Sequence, residues 1–165
     1  MVVTFQIVGH KKSGKTTLTN DFLKIGRRLG LEIAVVKHTH GPVDIPNNTD
    51  TGKFYENSDD VLLLNDTQTI HYQRNIEQTT LEQIKQLQQT TQADFLIIEG
   101  LKELSYEKIV LLKKDETVAG FGEISNVKNF ASIQKSTTTD DVLSLMDLDS
   151  RTKFIKKFLR DIQDD

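Results

Sequence analysis

Cysteine is absent from the 165-residue chain, which excludes disulfides, thiolate zinc sites, iron–sulfur clusters and cysteine nucleophiles and fits a reducing, cytoplasmic setting. Long apolar runs are absent as well. No stretch approaches the roughly 18 residues of a membrane span, and a first strand that starts at Val2 leaves no room for a signal peptide. Charge of one sign is not in excess: the net charge is −3 with acids and bases interspersed, so nothing points to a nucleic-acid surface or a polybasic membrane anchor. Proline occurs only twice, at Pro42 and Pro46. Length and composition together predict one soluble domain over residues 1–165 with a sizeable core.

Against these absences stands one strong motif. Gly9-His10-Lys11-Lys12-Ser13-Gly14-Lys15-Thr16 fits the phosphate-loop pattern G-x-x-x-x-G-K-[ST] at every fixed position. Upstream, Val2–Val8 is rich in β-branched and aromatic residues and reads as a strand. Downstream, Leu18, Phe22, Ile25 and Leu29 lie on one face of a helix that ends at Gly30. Strand, glycine loop and helix thus come in the order the motif requires. The glycines let consecutive N–H groups turn inward as an anion nest at the positive end of the helix dipole. Lys15 is placed to reach the β- and γ-phosphates, the Thr16 hydroxyl to bind Mg²⁺, and Thr17 to touch the α-phosphate.

The rest of the chain alternates strands with helices. Glu32–His38 reads as a second strand, and Thr39–Lys53, with both prolines and no apolar period, as a long loop of the functional kind. Val61–Asn65 and Thr69–Arg74 predict a hairpin. Thr79 or Thr80 with Glu82 or Gln83 is a capping box, opening a helix whose buried stripe is Leu81, Ile84 and Leu87. Phe95–Ile98 is an apolar strand closed by Glu99-Gly100; Lys108–Leu112 and Glu116–Phe121 read as a central and an edge strand. Phe154, Ile155, Phe158, Leu159 and Ile162 form the stripe of a last helix. The fold class is α/β: a three-layer sandwich of the P-loop NTPase type, its sheet mainly parallel, with an antiparallel excursion near residues 61–74.

Ligands bind such sheets at the carboxyl ends of the strands, which puts the phosphate loop, His38 and Glu99 on one rim. A phosphate-loop protein needs a carboxylate at the end of an apolar strand to hold the Mg²⁺ shell or orient water. Glu99 and Asp66 both qualify; Glu99 is favoured because turn chemistry accounts for Asp66. His38 and His40 project to one side in extended backbone. Without a third ligand at fixed spacing, they serve a polar rim or a phosphate contact as readily as a metal. Asp44, Asp50, Lys53 and Lys102 are read as solvated charges near that rim.

Gly9 to Thr17, Val35-Val36-Lys37-His38-Thr39-His40, Asp50-Thr51-Gly52-Lys53, Leu96–Lys102 with Glu99-Gly100, and Lys108-Ile109-Val110 together resemble the molybdopterin-guanine dinucleotide biosynthesis protein B family. The likeness covers residues 2 to about 112. It implies a dimeric GTP-binding protein that assists molybdopterin guanylyltransferase, the enzyme attaching GMP to the molybdenum cofactor, with molybdopterin itself within reach. By position, it makes Lys15 and Thr16 the phosphate and Mg²⁺ contacts, and Lys37, His38 and His40 rim residues. Gly52 and Lys53 become a loop motif, and Glu99 with Gly100 the acidic strand end. The chain departs from the family pattern at Phe54-Tyr55 and at Glu56–Asp59, where an Ala-Gly-Ala segment is expected.

No guanine-reading Asn-Lys-x-Asp occurs in the chain, so a preference for GTP follows from the resemblance alone. An adapter that hydrolyses GTP slowly is the leading expectation. A small-molecule or nucleoside kinase is the alternative; such kinases carry an arginine-bearing lid, whereas Arg27, Arg28, Arg74, Arg151 and Arg160 are scattered. A nucleotide-gated switch with another partner is a third.

Overall fold

The structure, a computed structural model, describes residues 2–39, 41, 43, 48–74, 77–135 and 141–164. His40 and Asp44, singled out above, lie outside them. The elements in chain order begin with β1 (Val3–Gly9), α1 (Lys15–Arg28), β2 (Ile33–Lys37), α2 (Asp50–Asn57), β3 (Asp60–Leu64), β4 (Thr69–Gln73) and α3 (Thr80–Thr90). They continue with β5 (Phe95–Glu99), β6 (Glu107–Leu111), α4 (Val118–Phe121), β7 (Val127–Ser132), β8 (Leu143–Ser144) and α5 (Leu148–Asp164). Two compact units result: Met1–His38 with Leu87–Asp165, and Thr39–Gln86.

The larger unit is a six-stranded sheet in the order β2-β5-β1-β6-β7-β8, and every pairing in it is parallel. Its interior strand β5 is buried at all five positions, as a parallel strand covered on both faces must be. Alternation along β1 divides the core. Phe5 and Ile7 face α1 and α5, where they join Phe22, Ile25, Phe158 and Leu159. The rings of Phe5, Phe22 and Phe158 meet with centroids 4.9 to 5.8 Å apart. Val8 faces the other way, with Val110, Leu112, Phe121 and Val142. The two helices are also tied by a largely buried ion pair, Arg151 Nε to Asp21 Oδ2 at 2.6 Å. The same guanidinium donates to the carbonyls of Leu145 (3.0 Å) and Met146 (2.8 Å), so the charge is not left unpaired.

In the smaller unit β3 and β4 pair antiparallel, from Asp60 opposite Gln73 to Leu64 opposite Thr69. This is the expected hairpin. Asn65 forms its turn, accepting from the N–H groups of Thr67 and Gln68 at 2.8 Å. The Tyr55 ring lies 5.9 Å from that of Tyr72 and under the Arg74 guanidinium at 4.0 Å.

Four readings are corrected. Glu116–Phe121 is not an edge strand: Thr117 accepts from Gly120 N–H at 3.1 Å, caps the short helix α4, and Gly122 (φ 88°) ends it. The Thr39–Lys53 loop ends early, because the Thr49 hydroxyl accepts from Gly52 N–H at 3.2 Å and starts α2 at Asp50. Leu81 is exposed, leaving Ile84 as the buried residue of α3. Finally, β7 and β8 extend the sheet where no strand was expected; Lys128 and Asn129 interrupt the apolar pattern of β7.

Candidate functional site

The rim at the carboxyl ends of β1, β2 and β5 is built by register. Ile7 and Lys37 both lie opposite Glu99, so the acid sits one strand from the base of the phosphate loop on one side and beside Lys37 on the other.

The loop has its shape because of its neighbours as much as its glycines. A Cβ on Gly9 would meet Leu111 O at 2.5 Å, and one on Gly14 (φ 98°) would collide with the Ile133 side chain. Lys12 also takes a left-handed conformation (φ 67°), which helps N–H groups converge on one point. Gly14 is the N-cap of α1, with no side-chain cap and no acid in the first turn. The N–H groups of that turn therefore have no capping side chain and are open to an anion.

Lys15 folds back along the loop, its Nζ donating to the carbonyls of Gly9 (2.9 Å) and His10 (3.0 Å). Burial pushes its pKa below the ordinary lysine range; the Glu99 carboxylate opposes that shift and Lys37 adds to it. The Thr16 hydroxyl donates to Glu99 Oε1 at 2.9 Å. Lys37 Nζ stands 3.9 Å from the same oxygen, and Glu99 is only 7% exposed. A hydroxyl and a carboxylate oxygen converging beside a phosphate cradle make a hard-oxygen donor set of the kind Mg²⁺ takes, with phosphates and waters completing the shell. Among the described residues no cluster of three His, Cys, Asp or Glu could hold a metal by itself.

A groove of about 390 Å³ runs along the loop, lined by Lys12, Gly14, Lys15, Thr16, Thr17, Ile133 and Gln134. The structure thus brings Gly9 to Thr17, Lys37, Glu99 and Gly100 together on one unit, with His38 exposed next to Lys37. Gly52 and Lys53 belong to the other unit. There Gly52 N–H is held by the Thr49 cap, and Lys53 lies 3.6 Å from Asp50. Asp66 lies in the hairpin turn of that unit.

Residues that support the loop from elsewhere in the chain, Glu116 and Gln134 above all, were missed in the sequence. His10 Nδ1 lies 2.8 Å from Glu116 Oε1, and its ring is 4.7 Å from that of Phe121. Burial raises the Glu116 pKa, but hydrogen bonds from Lys113 N–H, His10 and the Lys113 side chain outweigh it, so the carboxyl ends below its ordinary range. Gln134 Nε2 donates to Lys12 O at 2.6 Å, while its Oε1 accepts from Lys114 N–H at 3.2 Å. No spacing rule marks these residues, since they come from the connections after β6 and after β7 and from α4, which only the fold brings to the loop.

The sequence profile of the family described as molybdopterin guanine dinucleotide synthesis protein B, MobB, matches residues 4–133. A protein of Methanocaldococcus jannaschii named as a molybdopterin-guanine dinucleotide biosynthesis adapter is 35% identical over 113 residues, 65% of this chain and 46% of the relative. A Bacillus subtilis protein of the same name is 30% identical over 116 residues, 67% of this chain and 65% of that one. Each match therefore spans less than two thirds of the relative's own length. The crystal structure of a MobB homologue from Bacillus stearothermophilus superposes with a TM-score of 0.73 at 22% identity, over 97% of this chain and 99% of that one. That of Bacillus subtilis MobB gives 0.70 at 23%, over 93% and 96%. At such identities the likeness speaks for the fold alone, the mainly parallel sheet with its helices.

Proposed function

Since the chain belongs to the MobB family, we propose that it is a GTP-binding adapter of molybdenum cofactor biosynthesis, working in the cytoplasm as a homodimer that assists molybdopterin guanylyltransferase. The observation that carries the reading is the Thr16 hydroxyl on Glu99 at the mouth of an intact phosphate loop. In this reading the N–H groups of residues 9–16 cradle the β-phosphate, and Lys15 leaves the Gly9 and His10 carbonyls for the β- and γ-oxygens. Thr16 and Glu99 supply oxygen donors to Mg²⁺, and Thr17 contacts the α-phosphate. Mg²⁺, when bound, neutralises charge on the β- and γ-phosphates. Lys37, with His38 and His40 after it, and Gly100 contribute to the rim, and Gly52 and Lys53 to a loop motif that engages the pterin or the partner enzyme.

The same site argues for slow hydrolysis. Lys15 and Lys37 are cations with side chains placed beside Glu99, and a lysine lacks the planar two-pronged contact with which an arginine finger accelerates phosphoryl transfer by about 10³–10⁵. GTP is assigned over ATP through the family.

The test is equilibrium binding. Lys15→Ala, a change of a half-buried side chain in the first turn of α1 that leaves the core untouched, is expected to weaken GTP affinity by about 100-fold or more through loss of charged hydrogen bonds, with an unchanged circular dichroism spectrum. Retained tight binding by the folded variant rejects the phosphate assignment. Failure of the unaltered protein to speed guanylation by the partner enzyme rejects the adapter role.

A further inference from the structure

Gln6 is fully buried in a strand whose neighbouring inward residues Phe5, Ile7 and Val8 are apolar. A buried carboxamide is costly unless it is hydrogen-bonded, so what it binds accounts for its place. Its Nε2 donates to Gly100 O at 2.9 Å and Leu101 O at 2.7 Å, while Oε1 has no partner among the described residues. A residue kept only for packing would do better as leucine.

The two carbonyls turn toward Gln6 because Gly100 (φ 96°) and Leu101 (φ 52°) are consecutive left-handed residues. For leucine that conformation is unfavourable, and the turn needs outside support to persist. It directly follows Glu99, whose carboxylate accepts from Thr16. Lys108 lies opposite Gln6 in the β1–β6 register and is equally buried. Its Nζ donates to the carbonyls of Leu104 and Tyr106, at 2.9 Å for the latter. The seven-residue crossover 100–106 is thus held at both ends by buried donors from the sheet, and Gln6 holds the end that touches the site.

We propose that Gln6 is a positioning residue: by gripping the Gly100 and Leu101 carbonyls it sets the Glu99 carboxylate against the Thr16 hydroxyl, and so the divalent-cation end of the site. The inference rests on the role proposed above for Thr16 and Glu99.

Gln6→Met keeps length and volume and removes both donors. With GTP bound and Mn²⁺ as the spectroscopic probe, Mn²⁺ affinity is expected to fall about 10-fold, the scale of outer-shell changes at metal sites, while GTP affinity without cation changes less than twofold. In a Glu99→Gln background the same substitution should change Mn²⁺ affinity less than twofold, because its effect travels through Glu99. An equal loss in both backgrounds, or no loss in the parent, overturns the proposal. Should the unaltered protein bind no GTP, the functional reading fails on its own, and hydrogen exchange without ligand decides this one. The Gly100 N–H, bonded to Ile7 O at 3.0 Å, should exchange at least 10-fold faster in Gln6→Met, with the Val110 amide unchanged; uniform or absent acceleration overturns the inference. Gln6→Leu serves the same two measurements if the methionine variant does not fold.

Discussion

At the scale of single residues the site turns on which acid stands at the phosphates. Glu99 closes a fully buried strand and takes the Thr16 hydroxyl, whereas Asp66 lies in a solvent-facing hairpin turn. Glu99→Gln keeps the shape but removes the charge. It is expected to lower Mg²⁺-dependent turnover about 10-fold or more while changing cation-free GTP affinity less than threefold; Asp66→Asn should do neither. A larger effect from Asp66 in a turnover assay would reverse the assignment. Both acids were visible in the sequence, since a charge at the end of an apolar run is conspicuous. Gln6, Glu116 and Gln134 were not. Each acts on backbone or side-chain groups 94 to 122 positions away along the chain, and no local period encodes such contacts.

At the scale of elements, legibility followed local chemistry. The capping box at the start of α3 is formed in both directions: Glu82 N–H donates to Thr79 Oγ1 at 3.2 Å, and Thr79 N–H donates to Glu82 Oε2 at 2.7 Å. Thr79→Ala removes the hydroxyl half of the box and leaves the backbone N–H half; the loss of the cap should cost about 1 kcal/mol, read as a lower midpoint in urea at pH 7. Backbone and side-chain hydrogen bonds from Thr79 hold the Glu82 carboxyl below its ordinary range. Because the folded value lies below the unfolded one of about 4.3, this contribution is present above that pH and fades as pH falls through the folded value. The part of the difference that comes from the Thr79 hydroxyl on the Glu82 carboxylate should therefore shrink in acid; a constant difference down to pH 2 would show that this side-chain bond contributes nothing. The misread element, Glu116–Phe121, had its cap residue Thr117 in view, but four helical residues are too few for a period of 3.6 to show. Strand β7 escaped notice for the opposite reason. Its apolar residues Val127, Phe130 and Ala131 do not alternate, and parallel pairing with β6 decides its state.

At the scale of the whole molecule the hairpin is an apolar surface without a covering partner among the described residues. Leu62, Leu64, Leu63 and Ile70 are 45 to 63% exposed. Leu63 and Ile70 are directly paired, while Leu62 and Leu64 alternate with Leu63 and so occupy the other face. A two-stranded hairpin is marginal in water by itself, and one that shows exposed leucines on both faces, with Leu62 and Leu64 opposite His71 and Thr69, carries apolar side chains that association would cover. A second copy of the chain is the occupant that the proposed dimer supplies. Burying a leucine contributes about 1.5–3 kcal/mol, so replacing Leu62 and Leu64 together by lysine should weaken self-association by at least about 100-fold. Sedimentation of the unaltered protein at micromolar concentration should then report dimers, and the double variant monomers. Because every residue assigned to the phosphates lies in the larger unit, each monomer of the variant should still bind GTP within about threefold of the parent. An unaltered protein that sediments as a monomer would sink the dimer. GTP binding lost along with the dimer would mean that a second subunit completes the site, and would move the search for a hydrolysis-promoting arginine to the partner copy.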